Sequence, residues 1–242
     1  MSAPPADRDF GDLRRGTLRG RPFRLLRSFL IRLLTHTIRL TIDGLEHVPA
    51  TGPLIVVCNH VHNADPALVS IAFPRPLHFM AKKEAFAVPL LPVLMRMVGA
   101  FPVDRGKADR WAIRRAEATL GQGIAVGMFP EGTRSVVQSL QAAHPGAAMI
   151  ALRTGAPVLP AAITGSERLP GNGAKSRPKH IRASEPGHRG VRVRFGPPFV
   201  LPREIDGKKL TSRQATELMM AEIARLLPPD YRGVYAGPSA EY

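Results

Sequence analysis

The amino-acid sequence predicts an α/β fold in which a mostly parallel mixed sheet is flanked by helices. Short apolar runs alternate along the chain with helical patterns, which is typical of a sheet that helices cover on both faces. The chain has 242 residues, of which 44% are hydrophobic and 22% charged, so it is long enough to bury a core of ordinary size. Its single cysteine, Cys58, excludes a disulfide scaffold and fits a reducing compartment.

Six apolar runs predict strands, at residues 54–58, 77–81, 99–103, 124–129, 157–163 and 191–195. Helical patterns occupy residues 66–73, 88–98, 107–120, 147–154 and 212–227, the last of which stops before two prolines. Residues 191–195 alternate between apolar and basic side chains, which predicts a half-exposed strand at the edge of the sheet. Residues 171–190 are rich in Gly, Pro, Ser and basic residues, and we expect them to form a mobile basic loop.

The net charge of +15 is confined to two segments of the chain. Residues 14–39 contain eight Arg and no acid, and residues 168–194 contain eight Lys or Arg with one acid, so the remainder is neutral overall. A charge of this size suggests nucleic acid, an anionic membrane surface or phosphorylated substrates as partners. Aromatic residues make up only 6% of the chain, which disfavours nucleic acid because stacking platforms are scarce.

The first basic segment predicts an amphipathic helix within residues 19–40. On a helical wheel its arginines fall within an arc of about 140°, and most leucines and phenylalanines fill an opposite arc of about 180°. No apolar run approaches the ~20 residues that a membrane span requires, and the polar start MSAPPADRDF does not resemble a signal peptide. We therefore expect a peripheral or monotopic helix, whose alternative is a helix packed on its own domain with a solvated Arg face. The residues expected to dock on the membrane are Arg24, Arg27, Phe29, Leu30, Arg32 and Leu33.

A possible acid–base pair follows the strand predicted at residues 54–58. Asp65 precedes Pro66, which favours an N-cap position, and the chain between can fold its carboxylate back towards one nitrogen of His60. The other nitrogen would then be free to take a proton. The alternatives are a capping Asp beside an ordinary loop histidine, and a metal site formed by Cys58, His60 and His62.

Two further loops place cations after predicted strands. Arg105 follows the strand at 99–103 at a helix start, where a phosphate would be bound well, although Asp104 and Arg105 could equally form a turn pair. After the strand at 124–129, the run 131–134 presents a carboxylate, a glycine for a tight turn, a hydroxyl and a guanidinium. In open α/β sheets this end of a strand is where ligands bind, and the alternative is a polar turn. The run V-L-P-A at 158–161 reads as a buried core strand interrupted by a proline.

Together these segments resemble the four motif blocks of the glycerolipid acyltransferases, most closely those of the 1-acylglycerol-3-phosphate acyltransferase group. The blocks are N-H-x4-D at 59–65, F-P-V-D-R at 101–105, F-P-E-G-T-R at 129–134 and V-L-P-A at 158–161. The resemblance covers residues 39 to 235 and implies a glycerol-3-phosphate acyltransferase-like fold. It predicts an acyltransferase domain at 41–235, after a flexible N-terminal tail at 1–18 and the membrane-docking helix at 19–40, and before a C-terminal tail at 236–242.

The resemblance also implies roles for individual residues. His60 would be the general base and Asp65 the residue that orients it. The substrate phosphate would be bound by Lys82, Arg105, Glu131, Gly132, Thr133 and Arg134. Asn59 and Pro160 would have acyl-donor or structural roles. Family members often carry Phe-Lys/Arg-x-Gly after the third block, whereas this chain has Ala-His-Pro-Gly at 143–146, so that His144 replaces a fixed cation.

The implied reaction moves a fatty acyl group from acyl-CoA or acyl-carrier protein to the free hydroxyl of 1-acylglycerol 3-phosphate, giving phosphatidic acid at the cytoplasmic face of the membrane. No cofactor or metal is expected. The chain has no G-x-S-x-G elbow and Cys58 lies in an apolar strand, so direct transfer without an acyl-enzyme is predicted. The alternatives are another lysolipid or glycerol 3-phosphate as acceptor, and a non-catalytic protein that binds the membrane surface.

Overall fold

The computed structural model describes residues 10, 12–13, 18–82, 101–103, 110–171 and 189–237. The α-helices in this part of the chain are α1 (Gly20–Ile38), α2 (Asp65–Ala72), α3 (Arg110–Gly121), α4 (Gly146–Thr154) and α5 (Ser212–Leu226). The strands are β1 (Thr41–Asp43), β2 (Leu54–Cys58), β3 (Leu77–Lys82), β4 (Phe101–Val103), β5 (Ala125–Met128), β6 (Val158–Thr164), β7 (Arg192–Phe195), β8 (Glu204–Ile205) and β9 (Lys208–Lys209). Short 3-10 turns occupy Leu45–His47, Ser166–Arg168, Pro229–Tyr231 and Gly233–Tyr235.

Seven of these strands form one mixed sheet in the order β1-β7-β6-β2-β5-β3-β4. The pairs β2–β6, β2–β5, β3–β5, β3–β4 and β1–β7 are parallel, and β6–β7 is antiparallel. The predicted fold class is therefore confirmed. Because β2, β3, β4, β5 and β6 run in the same direction, their carboxyl ends meet at one edge of the sheet, where α/β proteins bind ligands.

Helices cover both faces of this sheet. On one face, Ile55, Val57 and Val126 contribute to a core that includes Met219 and Ile223 of α5 together with residues of α3 and α4. On the other face, the alternate strand residues pack against α2 in a second buried cluster, which includes Leu54, Val56, Leu68, Val69 and Phe73. The central strands β2 and β6 are buried throughout because both of their faces are covered, which is why they read as continuous apolar runs.

The strand predicted at the edge of the sheet lies inside it. β7 pairs with β6 on one side and with β1 on the other, so β1 is the edge strand. β1 has only three residues, which is too short for a strand to be recognised from hydrophobic alternation in the sequence. The expected half-burial of β7 is observed, and its arginines reach the acid of β1, with Arg192 Nε 3.5 Å and Arg194 Nε 3.6 Å from Asp43 Oδ2.

The other predicted elements agree with the structure in kind and differ at their ends, whereas the two-residue strands β8 and β9 are not among the predicted ones. Each predicted strand or helix that the structure describes matches an observed one within three residues, which is the usual uncertainty of predicted boundaries. The helix predicted at 88–98 and most of the mobile loop predicted at 171–190 lie outside the described residues. Within the predicted N-terminal tail the structure describes residues 10, 12, 13 and 18, where the ring of Phe10 lies 5.9 Å from that of Trp111 and Leu13 is buried.

Helix α1 presents three faces rather than the two predicted. Phe23, Leu30, Ile31, Leu34 and Ile38 share a half-buried face, and α1 packs against α2. A second face leaves four apolar side chains exposed, namely Leu25, Leu26, Phe29 and Leu33. The third face is basic and exposed, with Arg21, Arg24, Arg32 and Arg39. Among the described residues no helix has the length and apolar character to cross a membrane.

Arg27 lies on the half-buried face of α1 and not on the exposed basic one. Its Nε donates to the carbonyl of Phe73 at 2.9 Å and its Nη2 to that of Ala72 at 2.6 Å. These carbonyls end α2, where a cation is favoured by both the free acceptors and the helix dipole. The guanidinium expected at a lipid headgroup thus joins α1 to α2, and Leu30, also expected to reach the membrane, lies on the same half-buried face.

Candidate active site

His60 and Asp65 form a buried pair at the carboxyl edge of the sheet. His60 follows β2, and its Nδ1 lies 2.9 Å from Asp65 Oδ2. The same carboxylate oxygen accepts the backbone N–H groups of Val61 and His62, both at 2.7 Å. Because an ionised carboxylate can only accept, Nδ1 carries a proton, and in the neutral ring Nε2 then presents its lone pair. No hydrogen bond to Nε2 is found among the described residues.

Asp65 does not cap α2 as the sequence suggested. It is the first residue of that helix, Ala64 occupies the N-cap position, and the Asp65 carboxylate faces back over the preceding loop. The reason is that two backbone N–H groups of the loop and the imidazole offer three donors there, more than a capping position would supply.

The ring of His60 is held by aromatic contacts. It stacks on Phe129 with the ring centroids 4.2 Å apart, and Phe129 stacks in turn on Phe79 at 5.2 Å. The first residue of the F-P-E-G-T-R block is therefore a wall of the site, and it fixes the plane of the imidazole that Asp65 orients.

The loop formed by the third motif block and the residue after it, Ser135, holds the backbone of His60 on both sides. Glu131 Oε1 accepts the N–H of His60 at 3.1 Å, and the N–H of Ser135 donates to the carbonyl of His60 at 2.7 Å. The other oxygen of Glu131 accepts the N–H of Gln141 at 3.0 Å. Loops that are 71 residues apart in sequence are thus joined at the catalytic candidate.

Glu131 holds backbone groups of two loops, and the phosphate-binding role that the resemblance implies for it stays a prediction. Its carboxylate is buried, and both of its oxygens accept backbone N–H groups. Burial is the main cause that raises the pKa of Glu131 to about 7; the backbone N–H groups of Gln141 and His60 act against it, and the negative charge of Asp65 adds a smaller increase.

Gly132, Thr133 and Arg134, the residues of the third block that follow Glu131, differ in their exposure and contacts. Gly132 adopts φ +67°, and a Cβ there would come within 2.7 Å of Cδ2 of His144, so the His144 ring lies directly against the block. Thr133 is exposed and Arg134 is half-buried. The positive charge of Arg134 contributes to lowering the pKa of the neighbouring His62, for which burial is the main cause.

Asn59 and Pro160 are placed in the sheet. The amide of Asn59 donates to the carbonyl of Ile163 at 2.9 Å and accepts its N–H at 2.8 Å, which locks the end of β2 to β6. Pro160 is buried within β6 opposite Val57. Lys82 ends β3 at the carboxyl edge, but its side chain and the whole of Arg105 lie outside the described part of the chain.

Cys58 has the surroundings of an inert thiol. It is fully buried at the end of β2, and burial, followed by the negative charges of Asp65 and Glu131, raises its pKa well above the usual value. Within the ranges that the structure describes, no three His, Cys, Asp or Glu side chains gather as metal ligands.

One residue of the site was missed in the sequence. Ser166 follows β6, and its hydroxyl donates to Asp65 Oδ1 at 2.6 Å. A polar residue just beyond a buried strand was the available signal, because such a residue lies at the same edge of the sheet as the ends of β2 and β5.

The chain is similar to proteins of known family. The acyltransferase family model matches residues 39–164, just over half of the chain. A 1-acyl-sn-glycerol-3-phosphate acyltransferase of Borreliella burgdorferi is 27% identical over 128 residues, covering 52% of this chain and 51% of the relative. One of Bacillus subtilis is 33% identical over 121 residues, covering 50% of this chain and 60% of the relative. The alignments thus span about half the length of these curated relatives.

A solved structure shares the fold over a longer stretch. The 1-acyl-sn-glycerophosphate (LPA) acyltransferase PlsC of Thermotoga maritima superposes with a TM-score of 0.61 at 24% identity, covering 86% of this chain and 83% of that one. At this identity the likeness concerns the fold alone. The family match, by contrast, runs from the end of α1 through the His60 and Glu131 loops to the last residue of β6, and it shows that the chain belongs to the acyltransferase family.

Proposed function

We propose that this protein transfers a fatty acyl group from an acyl thioester, acyl-CoA or acyl-carrier protein, to the free hydroxyl of 1-acylglycerol 3-phosphate. The observation that carries the proposal is the buried His60–Asp65 pair, in which both backbone groups of His60 are held by the loop of the third motif block, through Glu131 and the following Ser135. The curated relatives described above are named for this acyl acceptor, which supports the choice of substrate.

The chemistry follows from the tautomer that Asp65 imposes. Nε2 of His60 takes the proton of the acceptor hydroxyl while its oxygen attacks the thioester carbonyl. The ester C–O bond forms, the C–S bond breaks, and the proton passes to the leaving thiolate. Asp65 keeps the imidazole in the productive orientation and stabilises its positive charge, as the aspartate of a serine-protease triad does, but here no serine nucleophile is required.

The acceptor phosphate is proposed to lie beside the third block. Arg134 is in the loop that holds His60, so a guanidinium bound to the phosphate would set the distance of the free hydroxyl from Nε2. Lys82 at the end of β3 and Arg105 after β4 are proposed to contribute further positive charge at the same edge of the sheet. No metal or cofactor is required by this scheme.

Peripheral binding to an anionic membrane is proposed for α1. Its exposed apolar face is unusual for a surface that only meets water, with Leu25 72% and Phe29 63% exposed. The basic face beside it suits phosphate headgroups, while the leucines suit the boundary of the acyl chains. The proposed contacts are Arg24, Arg32, Leu25, Phe29 and Leu33. Arg27 is left out because its Nε and Nη2 donate to the carbonyls that end α2.

The catalytic proposal is tested with purified protein, a panel of lysolipids and glycerol 3-phosphate, and both acyl-CoA and acyl-carrier protein as donors. Lysophosphatidic acid is expected to be acylated, and His60→Ala should reduce turnover by about 10²- to 10⁴-fold, since it removes the general base. Binding of His60→Ala to vesicles should be unchanged. Turnover that survives His60→Ala, or a panel without an acylated acceptor, would contradict the proposal.

Membrane binding is tested by sedimentation with vesicles of neutral and anionic lipid. Leu25→Ser should weaken partitioning by about 10- to 100-fold, since a leucine contributes roughly 1.5–3 kcal/mol when buried. Val234→Ser is the matched control, because Val234 is 68% exposed in a turn that packs against α5, on the opposite face of the sheet from α1. Equal effects of the two substitutions would contradict the assignment of α1 as the docking surface.

A further inference from the structure

Ser166 lies outside the four motif blocks but touches the catalytic pair. It is the first residue of the 3-10 turn after β6, it has no exposed surface, and its hydroxyl donates to Asp65 Oδ1 at 2.6 Å. The other carboxylate oxygen of Asp65 accepts the three donors from the His60 loop. In the described part of the chain, Ser166 is therefore the donor for the second oxygen.

The turn that carries Ser166 is rigidly placed. Gly165 adopts φ +81°, and a Cβ there would come within 2.1 Å of the carbonyl oxygen of Gly190, so the backbone packs tightly at this point. The next residue, Glu167, accepts the hydroxyl of Tyr231 at 2.7 Å in a buried contact. Upstream, Ile163 is held to β2 by the amide of Asn59. The Ser166 hydroxyl is thus a fixed point supplied by a different strand from the one that carries His60.

Two oxygens anchored from opposite sides define the plane of the Asp65 carboxylate. The three hydrogen bonds to Oδ2 hold that oxygen in place, but they still allow the carboxylate to rotate about it. The hydrogen bond from the Ser166 hydroxyl to Oδ1 prevents this rotation. Without Ser166, Oδ1 would be a buried charged acceptor without a donor, which favours rearrangement of the carboxylate or entry of water. Either change would tilt the hydrogen bond to Nδ1 of His60.

We propose that Ser166 is a positioning residue, whose hydroxyl fixes the carboxylate of Asp65 and, through it, the ring of His60. Its kinetic consequence rests on the acyl transfer proposed above, whereas its effect on the His60 ring does not. Ser166 does not contact substrate in this scheme, so the substitution should change the rate of the chemical step and leave substrate binding nearly unaltered.

The chain offers a matched control in Ser70. This serine lies on α2, the helix that Asp65 begins, and its hydroxyl is buried without a hydrogen-bond partner in the described structure. Ser70→Ala removes a hydroxyl of the same size from the same neighbourhood, but no bond to the catalytic pair.

The kinetic experiment compares Ser166→Ala, Ser70→Ala and Ser166→Thr with the wild type below their melting temperatures. Ser166→Ala is expected to lower kcat by about 10- to 100-fold with KM within about 2-fold of wild type, because misorientation of a catalytic group by a fraction of an ångström has effects of this size. Ser70→Ala should keep kcat, and Ser166→Thr should restore much of it. If Ser166→Ala does not fold, Ser166→Cys, a weaker donor of similar size, should show an intermediate loss.

A second readout needs no substrate. The ring N–H proton of His60 should give a resolved, slowly exchanging NMR signal in the wild type and in Ser70→Ala, and a broadened or absent signal in Ser166→Ala. Failure of the wild type to acylate any acceptor would refute the proposed function while this signal still tests the role of Ser166. A folded Ser166→Ala variant with wild-type kcat and a wild-type signal would overturn the inference, even if its Tm were lowered.

Discussion

Replacement of Glu131 by glutamine tests how the backbone of His60 is held. Both oxygens of the Glu131 carboxylate accept backbone N–H groups, from His60 at 3.1 Å and from Gln141 at 3.0 Å. A glutamine amide has one acceptor oxygen, so its NH₂ group would face one of these donors. One buried N–H then loses its partner, which costs about 1–3 kcal/mol.

The pH dependence of this effect follows from the raised pKa. An unfolded chain releases the Glu131 proton near pH 4.5, whereas burial holds the pKa in the folded protein at about 7. Between these values the folded state binds more protons, so the free energy of unfolding decreases as the pH rises from 4.5 to 7. The shift corresponds to roughly 3 kcal/mol, and above pH 7 both states are ionised and the decrease is complete.

The assay is denaturant unfolding of the wild type and of Glu131→Gln at several pH values and constant ionic strength. Glutamine does not titrate, so the free energy of unfolding of the wild type, measured relative to that of Glu131→Gln, should fall by about 3 kcal/mol between pH 4.5 and 7.5. Because the His60 loop loosens, kcat should also fall by about 10-fold. Glu222→Gln is the control, since Glu222 pairs with Arg225 on the solvent side of α5.

Two results would refute this reasoning. A stability difference that does not change with pH would show that Glu131 does not titrate as a buried acid. A kcat for Glu131→Gln equal to that of the wild type would show that its hydrogen bond does not hold His60 in place.

Three further substitutions separate structural from catalytic roles. Arg27→Ala should destabilise the contact of α1 with α2 by about 2–3 kcal/mol, seen as lower unfolding free energy and faster amide exchange in α1, whereas Arg24→Ala on the exposed face should not. Gly132→Ala should reduce kcat more than Gly155→Ala, because both glycines have φ +67° but only at Gly132 would a Cβ meet a neighbour, His144. Cys58→Ala should keep most activity, since the buried thiol is no nucleophile, and mass-spectrometric detection of an acyl group on Cys58 during turnover would contradict direct transfer.

The core of the sheet could be predicted because its strands are buried on both faces. β2 and β6 are continuous apolar runs in the sequence and fully buried strands in the structure. β1 could not be predicted, since a strand of three residues is too short to show an alternating hydrophobic pattern. Its place in the sheet depends on the unpaired edge of β7, with which it forms a parallel pair. Because β1 pairs with β7 and forms the edge of the sheet, β7 is the second strand and not the edge strand that the sequence predicted.

The face that each arginine of α1 presents could not be read from periodicity. The helical wheel groups Arg27 with the exposed arginines, yet its guanidinium reaches the end of α2. Ile31 and Ile38, which lie among the arginines on the wheel, are half-buried on the same side. Which face of a packed helix is buried depends on the position of the neighbouring helix, here α2. The sequence of α1 alone therefore does not determine it.

The sequence by itself determined the α/β class, the order of the blocks and the pairing of His60 with Asp65, because these depend on local spacing and on residue type. Only the tertiary structure decided that Glu131 holds the His60 backbone and that Ser166 holds the Asp65 carboxylate. The first contact joins residues 71 positions apart in the sequence, and the second joins residues 101 positions apart. They exist because parallel strands bring their carboxyl ends to one edge of the sheet, and a buried carboxylate there is stable only when neighbouring loops supply its donors.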